Sequence, residues 1–325
     1  MSRLRVHGVL LALLGCVCLI PVIPAAGGFV PYAAPAALVA GAIAALVAGN
    51  PFSKHTKSGG KVLLQASVVM LGFSMDLKTV LNAGASGLVY GVISICAVFA
   101  LGYGIQRALK VRPMTGLLVS TGTAICGGSA IAAISTVVDA PAEDVSVAVG
   151  AVFLLNALAL LVFPPLGHAL GLTQSQFGVW AGIAIHDIAS VAGAGVAYGQ
   201  QALDTATAVK LSRVLYLVPL TLIVAWVHHR MRPESESSAG RGITIPWFVG
   251  LFVVASALRS YSPVVAGYSP EIKRIAACGF ALSLYLIGLG LSRANLRAVG
   301  FRPLAMGAAL WVFISVGTLV FVRMA

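Results

Sequence analysis

Runs of about 20 apolar residues succeed one another along almost the whole chain, separated by short gaps that hold glycine, proline or charge. Twenty helical residues rise about 30 Å, the thickness of a bilayer's hydrocarbon core, so each run reads as a membrane-spanning helix. Taking the gaps as boundaries predicts helices near 7–25, 33–49, 61–76, 86–106, 114–137, 144–164, 177–198, 205–228, 244–260, 275–292 and 302–322. That makes eleven. No polar block between them is long enough to fold by itself, so residues 1–325 read as one all-α transmembrane domain. The longest polar gap, 229–243, contains Pro233-Glu-Ser-Glu-Ser-Ser and reads as a flexible cytoplasmic linker. Two internal halves are expected at about 33–164 and 177–322, with helix 7–25 as an extra. Arg3 and Arg5 before the first run, and Ala25-Ala26-Gly27-Gly28 after it, also fit a secretory leader. A second run comes at once, which favours an uncleaved first span.

Composition supports the same solvent. Of the 325 residues 59% are hydrophobic and 9% charged, against about 25% charged in a soluble domain. The formal charge of +12 does not point to nucleic acid, since the basic residues sit in the gaps and not along one polar face. They report orientation instead. With a cytoplasmic N-terminus, the inner segments hold Arg3, Arg5, Lys54, Lys57, Lys61, Arg107, Lys110, Arg112, Arg230, Arg232, Arg241, Arg293, Arg297 and Arg302, and the outer ones Lys78, Arg259, Lys273, Arg274 and Arg323. This bias predicts a multi-pass protein of the bacterial inner membrane, N-in and C-out, because dropping one helix would exchange the sides of all later loops. Cys16, Cys18, Cys96, Cys126 and Cys278 lie inside apolar runs without metal-ligand spacing, and are expected to be buried free thiols. No cofactor or metal is expected.

Two internal matches compete. Sliding the chain by 60 brings Gly122, Ala124, Ile125, Ala132, Asp144 and Leu155 onto Gly182, Ala184, Ile185, Ala192, Asp204 and Leu215. With eleven spans that is a displacement of two helices and predicts parallel copies. The other match sets Lys61-Val-Leu-Leu-Gln against Lys210-Leu-Ser-Arg and Ala40-Gly41 against Ala181-Gly182, a displacement of five helices and hence an inverted repeat. The inverted arrangement with discontinuous helices is the expected fold.

Ionisable groups at membrane depth cost several kcal/mol unless paired or hydrated, so the few present are the candidates for chemistry. The seventh predicted helix carries His186 and Asp187 near its middle, with Ser190 one turn on. They are expected to handle a coupling proton, or else Asp187 pairs with Arg213 as a structural ion pair. In the eighth, Lys210 and Arg213 share a face, and a guanidinium fork beside an ammonium suits an oxyanion. In the fifth, Cys126-Gly127-Gly128-Ser129 weakens the helix where lipid would punish a free amide, so a break lining a cavity is expected. A half-helix starting there aims N–H groups at that cavity. Asn156 in the sixth helix bonds across helices or binds ligand. Gly127, Gly128, Ser129, Asn156, Ser190, Lys210 and Arg213 are therefore the candidate substrate-binding residues.

The strings Thr121-Gly-Thr-Ala-Ile-Cys-Gly-Gly-Ser-Ala, Leu154-Leu-Asn-Ala-Leu-Ala, Ala184-Ile-His-Asp-Ile-Ala-Ser-Val-Ala-Gly and Val209-Lys-Leu-Ser-Arg-Val-Leu-Tyr-Leu-Val-Pro-Leu resemble those of the bacterial sulfate-exporter family. Ile188 departs from the hydroxyl residue that comes after the His-Asp pair there. The resemblance implies an inverted-repeat transporter fold related to sodium/proton antiporters and bile-acid symporters, and export of sulfate or a similar sulfur oxyanion. The expected partners are thus a small anion, the lipid bilayer and further copies of the chain. A cation/proton antiporter or channel using Asp187 is the alternative. A membrane-embedded enzyme is disfavoured, since no His-Glu-x-x-His, Gly-x-Ser-x-Gly or intramembrane carboxylate cluster is present.

Overall fold

The computed structural model of the chain describes residues 30–50, 53–231, 247–291 and 299–324. Predicted helix 7–25, most of the 229–243 linker, Cys16 and Cys18 lie outside them. Every regular element among the described residues is helical. In order these are α1 (Val30–Ala48), α2 (Ser53–Gly72), α3 (Leu77–Ala108), α4 (Pro113–Ala124), α5 (Gly128–Val137), α6 (Ala142–Ala169) and α7 (Gln174–Ala184). They continue with α8 (Ile188–Tyr198), α9 (Gln200–Val214), α10 (Leu217–Met231), α11 (Trp247–Tyr261), α12 (Pro263–Gly267), α13 (Ser269–Gly288) and α14 (Phe301–Met324). Gly91–Ala108, Ala142–Ala169, Gln200–His228 and Phe301–Met324 are long and apolar enough to cross a membrane by length and composition. Shorter apolar helices accompany them, as expected of a membrane protein.

The fifth and seventh predicted spans do not cross. A straight helix over 113–137 would hold its ends roughly 37 Å apart. Yet Arg112 Nη2 donates to Asp144 Oδ2 at 3.2 Å, and the Thr115 hydroxyl donates to the same carboxylate, in the first turn of α6. Within the segment, a Cβ built on Gly122 would lie 2.8 Å from Ile131 Cδ1. So α4 runs inward to a tip at Ile125-Cys126-Gly127 and α5 runs back to the same face. The second case is alike. Phe177 and Tyr198 would be about 30 Å apart on a straight helix, but their rings stack with centroids 3.8 Å apart. Gln174 Oε1 also accepts the backbone N–H of Gln201 at 2.9 Å. Residues 174–198 are therefore a second re-entrant hairpin, α7–α8, with its tip at Ile185-His186-Asp187. Each hairpin has the length and apolarity of a span, which is why the hydrophobic pattern reads it as one.

Contacts at the loops assign one end of most other helices to a face, and the length of each helix carries its other end across. Asn50 Nδ2 donates to the Leu289 carbonyl at 3.2 Å, on the side of Arg107, Lys110 and Arg112, which we term the basic face. On the opposite face the Leu77 N–H meets Ser260 Oγ at 2.8 Å, Arg323 donates to the Leu170 carbonyl at 2.7 Å, and Gln176 to the Val322 carbonyl at 3.0 Å. Two of that face's cations are paired: Arg259 with Asp76 and Lys273 with Asp204, each at 3.3 Å. The described chain thus passes across eight times, through α1, α2, α3, α6, α9–α10, α11, α13 and α14, in place of the ten crossings expected over the same stretch. The charge bias could not reveal this. Converting two spans into hairpins moves only loops 138–143 and 165–176 to the other side, and neither holds Lys or Arg.

The hairpins also change the meaning of the 60-residue match. It carries Ala124, the end of α4, onto Ala184, the end of α7, and Gly128, the start of α5, onto Ile188, the start of α8. Each repeat is one hairpin plus one span, so the second copy is inverted and not parallel. The first hairpin enters from the basic face and the second from the opposite face. Around them pack α3, α6, α9–α10 and α14, while α1, α2, α11 and α13 form a second group. In that group α1 meets α13 at Gly41 and Gly288, where a Cβ on Gly41 would fall 2.2 Å from the Tyr285 carbonyl oxygen. Small residues at this contact let the backbones approach as membrane helix pairs do.

Candidate functional site

The hairpin tips meet midway through the bundle. Gly127 has φ +67°, the left-handed region that glycine adopts without penalty, and its missing Cβ would lie 3.3 Å from Val152 and 3.5 Å from the His186 carbonyl carbon and oxygen. One tip therefore rests on the other through a residue that has no side chain. Gly127 is the N-cap of α5 and offers its first turn no side-chain acceptor. Gly128 comes next, against the Phe153 ring, and Ser129 sits on the exposed side of that turn.

Each repeat's span braces the other repeat's tip. From α6, Asn156 Oδ1 accepts the His186 backbone N–H at 2.9 Å. From α9, Lys210 Nζ donates to the Ile125 carbonyl at 3.3 Å, and Arg213 donates to the Ala124 carbonyl and, at 2.7 Å, to Ser94 Oγ on α3. These two carbonyls end half-helix α4, where the helix dipole is negative and intrahelical donors run out, so buried cations are suitable partners. On the second hairpin Asp187 caps α8, its carboxylate accepting from the Ser190 N–H at 2.8 Å and the Ser190 hydroxyl at 2.7 Å. The alternative of an Arg213–Asp187 ion pair is not what the structure has, since both side chains are committed elsewhere.

His186, Ser190, Asn156, Lys210 and Arg213 are all buried, and Asp187 is 8% exposed. The cluster also holds buried polar atoms that no protein group satisfies: both ring nitrogens of His186, Asn156 Nδ2, Arg213 Nε, and the hydroxyls of Thr123 and Thr207. Buried polar groups are nearly always bonded, so this concentration at one place marks a site for something polar. Ser94, Thr123 and Thr207 did not stand out in the sequence. Thr207 lies three residues before Lys210 on the same helical face, and that spacing was the available signal. Of the described cysteines Cys96, Cys126 and Cys278, all free, only Cys126 at the tip is buried; Cys96 is exposed, against expectation. Among the described residues no group of His, Cys, Asp and Glu has the arrangement of a metal site.

The family described as conserved hypothetical protein 698 matches residues 9–307, a region that includes both hairpins and both bracing spans. The chain belongs to that family. A UPF0324 membrane protein of Porphyromonas gingivalis is 44% identical over 293 residues, covering 89% of this chain and 86% of that protein. A UPF0324 membrane protein of Bacteroides thetaiotaomicron is 43% identical over 290 residues, again 89% of this chain and 86% of that protein. These names identify a conserved bacterial membrane family and mention no cargo. No solved structure matches the chain.

Proposed function

We propose that this member of the conserved hypothetical protein 698 family is a secondary transporter that carries a small anion, a sulfur oxyanion such as sulfate, through the hairpin tips. The observation that carries the reading is the sign of the buried charge. Four half-helix ends meet at the tips, two C-terminal (α4, α7) and two N-terminal (α5, α8), and their partial charges of about half a unit cancel in pairs. What remains is two cations, Lys210 and Arg213, and one carboxylate, Asp187. The α4 carbonyls meet part of the charge of these two cations, and an anion at the tips offsets the rest. Unsatisfied donors at Arg213 Nε and Asn156 Nδ2 and the uncapped start of α5 supply hydrogen bonds for its oxygens. In this reading His186 and Asp187, the titratable pair at the second tip, carry the coupling proton. In a bacterial inner membrane the basic face would be cytoplasmic, and the direction proposed is export.

The cation/proton antiporter reading is weaker here, because Asp187 is held by Ser190 and outnumbered by the cations. An enzymatic role is not proposed. Proteoliposomes loaded with labelled sulfate, sulfite or a small sulfonate test the reading, with and without a pH gradient. Saturable anion flux that the gradient accelerates is the expected result. Proton-coupled sodium or potassium flux without anion movement would replace it with the antiporter.

A further inference from the structure

The two hairpins occupy equivalent places in the repeat but differ in what covers them. Their return arms correspond at a displacement of 60, so Ser129, Ala132 and Thr136 on α5 answer to Ala189, Ala192 and Val196 on α8. Ala189 and Ala192 are wholly buried, since α8 is seated on α1 and α13; a Cβ on Gly193 would lie 3.0 Å from Leu284 and 3.3 Å from Ala34. Ser129, Ala132 and Thr136 are exposed. They recur at i, i+3 and i+7, which makes one strip along α5 from the tip to the basic face. At that face the strip ends at an open depression of about 460 Å³, where Ser135, Thr136, Asp139 and Ser146 alternate with Ala140, Ala142 and Val145.

The composition of the strip says what it faces. Exposed positions on the neighbouring spans are large and apolar, such as Leu158, Leu161 and Leu166 on α6 and Leu222, Ile223 and Trp226 on α10. A lipid-facing surface has that character, whereas Ser, Ala and Thr leading to Asp139 do not. At its inner end the strip reaches Gly128, next to Gly127, whose missing Cβ would lie 3.5 Å from the backbone carbonyl of His186, a residue with both ring nitrogens buried and unsatisfied.

We propose that α5 lines an aqueous entrance from the basic face to the hairpin tips, and that α8, sealed by α1 and α13, is the closed gate to the opposite face. One arm is open and its inverted counterpart shut, the arrangement that gives a carrier access to one side at a time. The inference rests on the transport reading, but its test needs no substrate.

Single cysteines at Ser129, Ala132, Thr136 and Ala192, and at Leu161 as a lipid-facing control, are introduced into full-length protein whose native cysteines have been replaced. Each is exposed to a membrane-impermeant thiol reagent in vesicles of both orientations. Ser129→Cys, Ala132→Cys and Thr136→Cys should react at least 10-fold faster from the basic face than from the other, while Leu161→Cys and Ala192→Cys stay unreactive from both. Thr136 and Ser129 lie on the surface of α5, so their replacements should not disturb folding. Reactivity of Ser129→Cys and Thr136→Cys as low as that of Leu161→Cys would overturn the entrance. Labelling of Ala192→Cys from the opposite face as fast as Ser129→Cys labels from the basic face would overturn the gate. Protection of Ser129→Cys by sulfate bears separately on the cargo: labelling without protection keeps the entrance and removes sulfate.

Discussion

Arg213 on α9 donates to the carbonyl of Ala124, and so closes the C-terminal end of a half-helix that belongs to the other repeat. The bond is structural in form, yet the same guanidinium keeps Nε free of any protein partner. These two roles separate on mutation.

Arg213→Ala should strand the Ala124 carbonyl at membrane depth and lower stability by about 1–3 kcal/mol, the cost of an unsatisfied buried polar group. Arg213→Lys should recover part of that stability, because an ammonium can still donate to the carbonyl, but it lacks the fork that would leave a second donor for an oxyanion. Thermal unfolding in detergent and equilibrium anion binding, measured on both variants, check this. Equal anion affinity for Arg213→Lys and wild type would leave Arg213 a purely structural cap.

Gly127→Ala and Gly128→Ala should differ although the residues are neighbours. Gly127 has positive φ and rests on Val152 and His186, so a methyl group costs about 1–2 kcal/mol of backbone strain and separates the tips. Gly128 meets only the edge of the Phe153 ring, which can turn aside. Flux should fall more than tenfold for the first and by less than threefold for the second.

Topology gives the plainest test of the hairpins. Ala142→Cys and Ala169→Cys, at the two ends of α6, should label from the basic and the opposite face respectively. Eleven spans predict the reverse for both, while every other loop carrying Lys or Arg is assigned to the same side under either fold.

Outside the membrane span, Asp76 caps α3 on the opposite face. Burial pushes its carboxyl up, but the N–H groups of Thr79 and Lys78, the Ser260 hydroxyl and Arg259 outweigh that and hold it below the ordinary carboxylate value. A depressed carboxyl stabilises the fold above the unfolded value of about 3.9, and the contribution is lost as pH falls through the lower, folded value. The melting temperature of Asp76→Asn should therefore lie below that of wild type at pH 7, and the gap should narrow as the pH falls below the unfolded value of about 3.9.

Much of the site was legible before the fold was. Gly127 and Gly128 announced a break because a glycine pair weakens a helix at a depth where lipid would punish a free amide, and His186, Asp187, Lys210 and Arg213 stood out because charge is rare in hydrocarbon. Their partners were not legible. Whether Arg213 meets Asp187 or the Ala124 carbonyl depends on how two breaks approach in space, and a pattern read along one dimension holds no such distance. The eleven-span reading failed for a related reason: hydropathy measures how long a segment stays in lipid-like surroundings, and a hairpin that goes halfway and returns stays as long as a helix that crosses. The 60-residue match contained the correct repeat, but its inversion could be recognised only after the fifth and seventh segments ceased to be counted as crossings.

The bracing of one repeat by the other also sets an order of events during synthesis. Arg213 comes 89 residues after Ala124, and Lys210 comes 85 after Ile125. At about 5–20 residues per second, roughly 4–18 s pass between the emergence of the first tip and that of its cations. Throughout that interval the newborn hairpin lacks the two donors that meet its carbonyls in the finished fold, so the bracing of the first tip is completed only once the second repeat has been made.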